Sequence, residues 1–537
     1  MFSLAFVLSL AQATPAQASP SPAPSPLASP SVLIAQPALA NLHPAGLRQP
    51  PVVVAISNAT GALSATLDAA VATANVDQTN HTITLQGTQQ TGRATLHVSD
   101  AAGAAIDLPV RNAYDAGTIA SSVTLKVTGD PLDPAWLQTQ IAQALGRATL
   151  VQPGLTAQFA GYALPPSLPP GSVAAIAVPV QIPGGDAYYD ASGTTNVSVE
   201  NIVASGFAPP VLFYDDDPEK VDAAGVLYRG RIAPGTPTRL YYYHENGGDP
   251  HDLLLVLSGV SQDPTSVQVI DSTAGPNIDV LSVGHAVTKN FLLTKPQNEG
   301  TIVDLPQTEP YLVHDLKMQR LDGVAGNVDL RVMSGGAVTV TVLAVPPLPA
   351  GFTPPVSQIA PYLDQPQLPG DGHHRTGVFA LAGYGVDQLT YRAGGQDVFA
   401  RYGATTPPSA DPNAPGHDYG DYGVLHRIDL TLDNPTAAPV SLYLYETPQG
   451  GVLRSSFLVD GTLHEVGCTR VPNRYLIAAL PPLGPGEHRA STVLTMTDGG
   501  SSYPVEVGVT ATPPATTAPP IGAPDGCFPK PVAAPVF

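Results

Sequence analysis

The chain has 537 residues, enough for three to five domains at roughly 100 to 200 residues each. Only 12% of residues are charged while 43% are hydrophobic, which excludes wholesale disorder. Acidic residues outnumber basic ones 43 to 23, and the resulting charge of -20 repels phosphate backbones and argues against nucleic acid as a partner.

Gly and Pro make 110 of the 537 residues, so turns are abundant. Residues 1–18 read as a signal peptide. The apolar run Met1 to Leu10 is followed by Ala16-Gln17-Ala18-Ser19, with small residues where a signal peptidase cuts, although no Lys or Arg precedes Arg48. No later apolar run is long enough for a membrane span, which needs about 20 residues. Residues 19–51 alternate Pro with small residues and read as an extended linker or stalk.

Residues 52–118 carry short β-branched runs with period-two alternation, and in Ala94-Thr95-Leu96-His97-Val98 the residues Leu96 and Val98 share one face. Within Gly87 to Gly103, the sequence Gly92-Arg-Ala-Thr95-Leu96-His-Val98-Ser-Asp100 resembles the N-terminal β-sandwich of bacterial pilus-formation and secretin proteins, and bacterial Ig-like modules generally. The resemblance covers about 65 of the 537 residues and implies an Ig-like sandwich. No secretin-type barrel sequence follows, so the pore-forming role does not carry over.

Residues 119–205 read as a small β-rich module with one helix, the α+β part of an otherwise mainly β chain. Asp133 is placed to cap that helix, Pro134 takes its first position, apolar residues at Trp136, Leu137, Ile141, Ala144 and Leu145 follow helical spacing, and Gly146 closes it. Trp136, the only tryptophan, reads as a core anchor.

Residues 209–347 and 370–512 read as divergent copies of one β-sandwich. Each has a strand, an Asn turn with a nearby Pro (Asn246 and Pro250; Asn434 and Pro435), and a second strand. Ile302 to Pro306 is matched with Leu476 to Pro481 further on. Residues 348–369 form a Pro-rich linker and 513–537 a Pro-rich tail. This half resembles uncharacterised secreted bacterial β-sandwich proteins whose strands carry an L-x-N-P-T turn. The fold class expected is therefore mainly β, as tandem β-sandwiches, with helix near or below ~10%.

Local catalytic motifs are absent: there is no G-x-S-x-G elbow, H-E-x-x-H helix, Walker loop or dinucleotide-binding fingerprint. Three clusters carry candidate chemistry. Asp215, Asp216, Asp217 and Glu219 offer hard oxygen ligands suited to calcium, but lack the alternating spacing of a calcium loop and read as a solvated acidic turn. His373 and His374 offer imidazoles for a transition metal, but adjacent residues face opposite ways, and they read as a linker end. His417 to Gly423 combines aromatic and acidic groups as sugar-binding loops do, or forms a Gly-hinged turn with packing tyrosines. Tyr241 and Tyr243 share a strand face and read as core.

No catalytic, cofactor or metal residue is assigned. The expected function is an exported, non-catalytic cell-surface structural or adhesion protein whose partner is an extracellular protein or glycan. A secreted carbohydrate- or polymer-binding protein is the alternative, and a hydrolase with a non-local site the third. Cys468 and Cys527, an even count suited to an oxidising compartment, are expected to form a disulfide that holds the tail.

Overall fold

In a computed structural model, β-branched and leucine-rich stretches pair into sheets that leave 52% of the chain as strand and 7% as helix, so the protein is mainly β. The structure describes residues 32–47, 49–260, 263–305, 309–348, 356–373, 375–411, 416–521 and 527. The expected signal peptide, most of the stalk and His374 lie outside them. The described residues divide into two compact units: one runs up to Asp115 and includes Gly184–Tyr189, and the other comprises the rest.

The first unit is a sandwich of two four-stranded sheets. Alternation sets its core: Ala94, Leu96 and Val98 point inward together and pack with Val54, Ile83, Leu85, Leu108 and Val110. The linker reading of 19–51 is corrected here. Ile34–Gln36 and Ala40–Leu42 are strands of this sandwich, because Leu33, Ala35, Ala40 and Leu42 alternate onto the core face and are buried.

In the second unit, residues 119–205 do not close on a sheet of their own. Ser122–Thr128 runs parallel to Ala191–Asn201 and antiparallel to Gly300–Leu305, which carries the sheet into the next sandwich. Helix α1 (Pro134–Ala148) is capped by Asp133, whose carboxylate accepts the Trp136 N–H at 2.8 Å, and it buries Leu137, Ile141, Ala144 and Leu145. Gly146 does not end it; the helix runs two residues further.

The two C-terminal segments have the same strand order in both sheets. The first sheet of one orders Val211–Asp215, Thr238–Asn246, Gly323–Ser334, Thr265–Asn277 and Gly300–Leu305; the other orders Val386–Arg392, Leu425–Asp433, His488–Met496, Val452–Val459 and Thr462–Arg470. In each, the first pair is parallel and the remainder antiparallel. The facing sheets run Gly225–Ile232, Val338–Val345, His251–Gly259, Tyr311–Met318 and Val398–Tyr402, Val505–Thr510, Val440–Pro448, Tyr475–Leu483. This alignment corrects one match made from sequence: the counterpart of Tyr475–Leu483 is Tyr311–Met318, one strand beyond Ile302 to Pro306. The boundary at 370 is also crossed, since Thr376–Ala380 adds to the edge of the first sandwich beside Val211–Asp215.

The copies differ most between their fourth and fifth first-sheet strands. Asp460 and Gly461, at φ 47° and 82°, join Val452–Val459 to Thr462–Arg470 as a two-residue hairpin. At the same place the first sandwich inserts helix α2 (Val280–Thr294), capped by Asp279. The sequence reading had no helix there. Leu281, Val283, Val287, Phe291 and Leu292 are all buried, and the outward face, Ser282, Lys289, Asn290 and Leu293, is narrow and partly apolar, which weakens the helical signal.

Two Pro-rich readings also change. Within 348–369 lies helix α3 (Val356–Leu363), whose Ile359 is buried among Leu254, Val256, Leu343 and Val345. The tail docks before its cysteine: Thr516 bridges to Tyr475, Ala518 packs on the last sandwich core, and Cys527 forms a disulfide with Cys468.

Candidate functional site

Helix α2 packs between the two sandwiches: Val283 and Val287 lie against Tyr241, Tyr243 and Ala325 of the first, and its other side meets the second. Gly284 permits this contact, because a Cβ at that position would stand 2.1 Å from the carbonyl oxygen of Gly499. One turn around it, Arg454 donates to Asp279 at 3.0 Å and to the Ser282 hydroxyl, and Lys289 donates to Glu465 at 3.0 Å. His285 is buried between two carboxylates, its Nδ1 3.2 Å from Asp498 and its Nε2 2.9 Å from Glu465. Burial opposes the charged ring, yet these two carboxylates hold its pKa above the ordinary 6.5. Ser456 Oγ lies 3.4 Å from the same Nδ1 that meets Asp498. Glu465 stands on the opposite nitrogen, which aligns serine, histidine and carboxylate, but Ser456 is fully buried and its hydroxyl does not face solvent.

Beside α2, aromatic rings run from one sandwich into the other. Tyr214 stacks on Tyr241 at 5.5 Å, Tyr241 on Tyr422 at 5.7 Å, Tyr422 meets Tyr503 edge-on at 5.7 Å, and Tyr503 meets Tyr402 at 5.7 Å. Burial pushes Tyr214, Tyr241, Tyr402 and Tyr503 well above the ordinary phenol range, so the ladder is uncharged. Tyr241 is core, as read from the sequence. Tyr243 is buried beside it and donates to Glu245 at 2.8 Å.

The three clusters singled out in the sequence meet around this ladder. The acidic turn is not solvated: Asp215, Asp216 and Asp217 are all buried. Asp215 faces His244 at 3.1 Å, Asp216 accepts the Tyr214 hydroxyl at 3.1 Å, and Asp217 accepts the Asp371 N–H at 2.5 Å. Arg375 joins the first cluster to the second by donating to Glu219 at 2.5 Å and Asp371 at 2.8 Å. His373 is exposed beside Asp371. One oxygen each of Asp215 and Asp216 is buried without a hydrogen bond, and among the described residues no group of three or more His, Cys, Asp or Glu side chains is arranged to hold a metal ion.

The third cluster sits on the ladder. Asp418 is fully buried and accepts the Tyr422 N–H at 2.8 Å, while Asp421 accepts the Tyr384 hydroxyl and the Gly403 N–H, each at 2.9 Å. Burial pushes Asp421 up to about 6; burial and then the Asp421 charge push Asp418 well above the carboxylate range. Burial likewise raises Asp216 well above that range. Both acids are buried packing groups, and Asp216 also lies 3.7 Å from the Arg375 guanidinium.

These anchors fix a loop that opens on a cleft of about 650 Å³ lined by Tyr419, Gly420, Tyr422, Arg401, Ser502 and Tyr503 among others. Tyr419 is 65% exposed, with its ring stacked on His417 at 5.1 Å and 19°. Arg401 is tied to Glu506. The cleft therefore offers an aromatic ledge, serine hydroxyls and an ion-paired guanidinium, groups whose chemistry suits a hydroxylated ligand. Sequence reasoning found this loop but not Tyr503, Arg401, His285 or Asp498. No local spacing links them: His285 is 213 residues from Asp498 and 180 from Glu465.

No protein-family model matches the chain, and no curated protein matches it. The resemblance to secretin and pilus-formation sandwiches thus rests on its own short motif. Among solved structures the chain is similar to a tri-modular GH5 (subfamily 4) endo-β-1,4-glucanase from Bacillus licheniformis complexed with cellotetraose, at 13% identity over 31% of this chain and 38% of that one, TM-score 0.15. It is similar to carbohydrate-binding modules of the β-sandwich superfamily, at 10% identity over 58% and 94%, TM-score 0.12. It is also similar to the glucan-utilisation protein SGBP-B of Bacteroides ovatus in complex with a mixed-linkage heptasaccharide, at 10% identity over 57% and 73%, TM-score 0.11. At these values the likenesses place no residue and transfer no activity.

Proposed function

We propose that the chain is an exported, non-catalytic cell-surface protein that contacts a glycan or other hydroxylated polymer through the Tyr419 cleft, with the two α2-joined sandwiches as its rigid support. The observation that carries this reading is the Tyr419 ring itself. A large aromatic face stands in solvent on a loop whose backbone is fixed from below by two buried aspartates, so little ordering entropy opposes binding. The non-catalytic part is supported by the burial of the unusual acids around the loop, Asp216, Asp418 and Asp421, which are 5%, 0% and 2% exposed. Export is supported by the Cys468–Cys527 disulfide. Among the described residues no helix is long and apolar enough to cross a membrane.

The test is a glycan array probed with the wild-type chain and with Tyr419→Ala, with the bound glycans then examined for cleavage. The reading expects retention on a defined glycan class, its loss in the variant, and no released fragments. Absence of glycan retention by the wild type, retention undiminished by Tyr419→Ala, or released fragments would each overturn it.

A further inference from the structure

A second depression, about 790 Å³ in volume, lies between α1, α2 and the Thr265–Asn277 strand. The Asp133 cap and Pro134 set the first turn of α1 so that Trp136 stands half-buried on its wall. Trp136 also lines a smaller cavity beside Tyr311 and His314, so the depression follows the face of α1, a helix of 15 residues and about 22 Å.

The rest of the lining is polar and includes three carboxylic acids, Asp133, Asp271 and Glu299. The side-chain amides of Gln140, Gln143, Asn290 and Gln297 line the groove and take no hydrogen bond from other described residues. No Lys or Arg lines its main part. Asp271 is held by His314 at 2.8 Å and Thr273 at 2.8 Å, and Glu299 accepts the Asp133 N–H. Burial pushes the Glu299 carboxyl up to about 7.

We infer that this groove binds a neutral oligosaccharide, with one sugar face on the Trp136 indole and ring hydroxyls on the four free amides. A hydroxyl both donates and accepts, and so does a side-chain amide, so each contact satisfies both partners. An anionic ligand would meet these acids with no Lys or Arg in the main part of the groove to offset them, which disfavours it. The Thr265–Asn277 strand is paired on both sides over Thr265–Val269 and on one side at Asp271–Thr273, so peptide binding at that edge is the competing outcome of the test below. This inference does not rest on the Tyr419 cleft, with which the groove shares no lining residue.

Trp136 is the only tryptophan in the chain, so selectively excited tryptophan emission reports this groove alone. The full chain is titrated with short neutral oligomers of glucan, xylan, mannan and chitin, with polygalacturonate oligomers and with a peptide library. The expected result is a saturable emission shift with at least one neutral oligomer, weakened about tenfold or more in the Gln140→Ala/Asn290→Ala double variant, whose two positions lie outside the core. Circular dichroism confirms that this variant folds. A shift with none of the neutral oligomers, an affinity unchanged in the double variant, or saturation only by the charged oligomers or by peptides would overturn the inference. Because Tyr419→Ala leaves this signal untouched, failure here is distinct from failure of the cleft.

Discussion

The amide nitrogen of Asn246 donates to the carbonyl of Met318, and that of Asn434 donates to the carbonyl of Leu483; these two carbonyls end corresponding strands of the two sandwiches. Each asparagine is buried, and each Oδ1 accepts the N–H two residues on, from Gly248 or Thr436. The return contacts match as well: the N–H groups of Leu321 and Gly486, at φ 72° and 69°, donate to the Asn246 and Asn434 carbonyls. Two sandwiches that share strand order thus also share the side chain that closes them.

Asn246→Ala and Asn434→Ala each remove a buried set of side-chain hydrogen bonds and leave carbonyls unpaired. Each is expected to cost about 2 to 3 kcal/mol, measured by denaturant unfolding. A loss below about 0.5 kcal/mol would show that the turns hold without the amide.

Alanine substitution of two helical glycines is expected to have opposite signs. Gly146 in α1 has open space where a Cβ would go, so Gly146→Ala stabilises by about 0.5 kcal/mol. In α2 the same change drives a methyl into the Gly499 backbone and separates the helix from the second sandwich. Gly284→Ala should lower stability by about 2 kcal/mol or more and expose the joint to proteolysis. Equal effects would contradict the close approach.

Glu446 gives the fold a pH dependence. It is fully buried with neither carboxyl oxygen hydrogen-bonded, and burial, reinforced by the Asp498 charge, pushes it from 4.5 up to about 7. The folded state therefore holds this proton more tightly than the unfolded state does. Its contribution is complete below about 4.5, falls as pH rises toward 7, and is constant above that, for a loss of about 3 kcal/mol. Glu446→Gln should flatten this part of the stability profile, followed as Tm against pH, and raise Tm at pH 8. An unchanged profile would place the dependence elsewhere.

The Cys468–Cys527 bridge closes a loop across a sequence separation of 59 residues. In the chain-entropy model such a loop contributes about 4 kcal/mol, less whatever the docked Thr516 and Ala518 already supply. Mass spectrometry of non-reduced peptides from exported protein should show the linked pair, and Cys468→Ser should lower Tm. Two separately alkylatable thiols would contradict it.

What the sequence made legible was local. Alternation in Ala94 to Val98 and the Asp133-Pro134 start of α1 act over a few residues, and the structure agrees with both. The Asn turns were visible because Asn and Pro mark strand ends, though counting strands past them slipped where α2 is inserted. Helix α2 is hard to read because its polar stripe of Ser282, Lys289 and Asn290 is narrow and interrupted by Ala286 and Leu293, while Asp460-Gly461 is a readable hairpin signal. The loop around Tyr419 was visible as a composition. Its cleft was not, because Arg401 and Tyr503 arrive from other strands, and only the fold brings them to Tyr419.

The claim that the Tyr419 cleft holds a hydroxylated polymer without cleaving it is tested most directly by calorimetric titration of the best array ligand into the wild-type chain and Tyr419→Ala, followed by product analysis. The account predicts a saturable binding heat for the wild type, an affinity at least about tenfold weaker for the variant, and intact ligand recovered from both. Equal affinity for the two proteins, or ligand recovered as fragments, would contradict it.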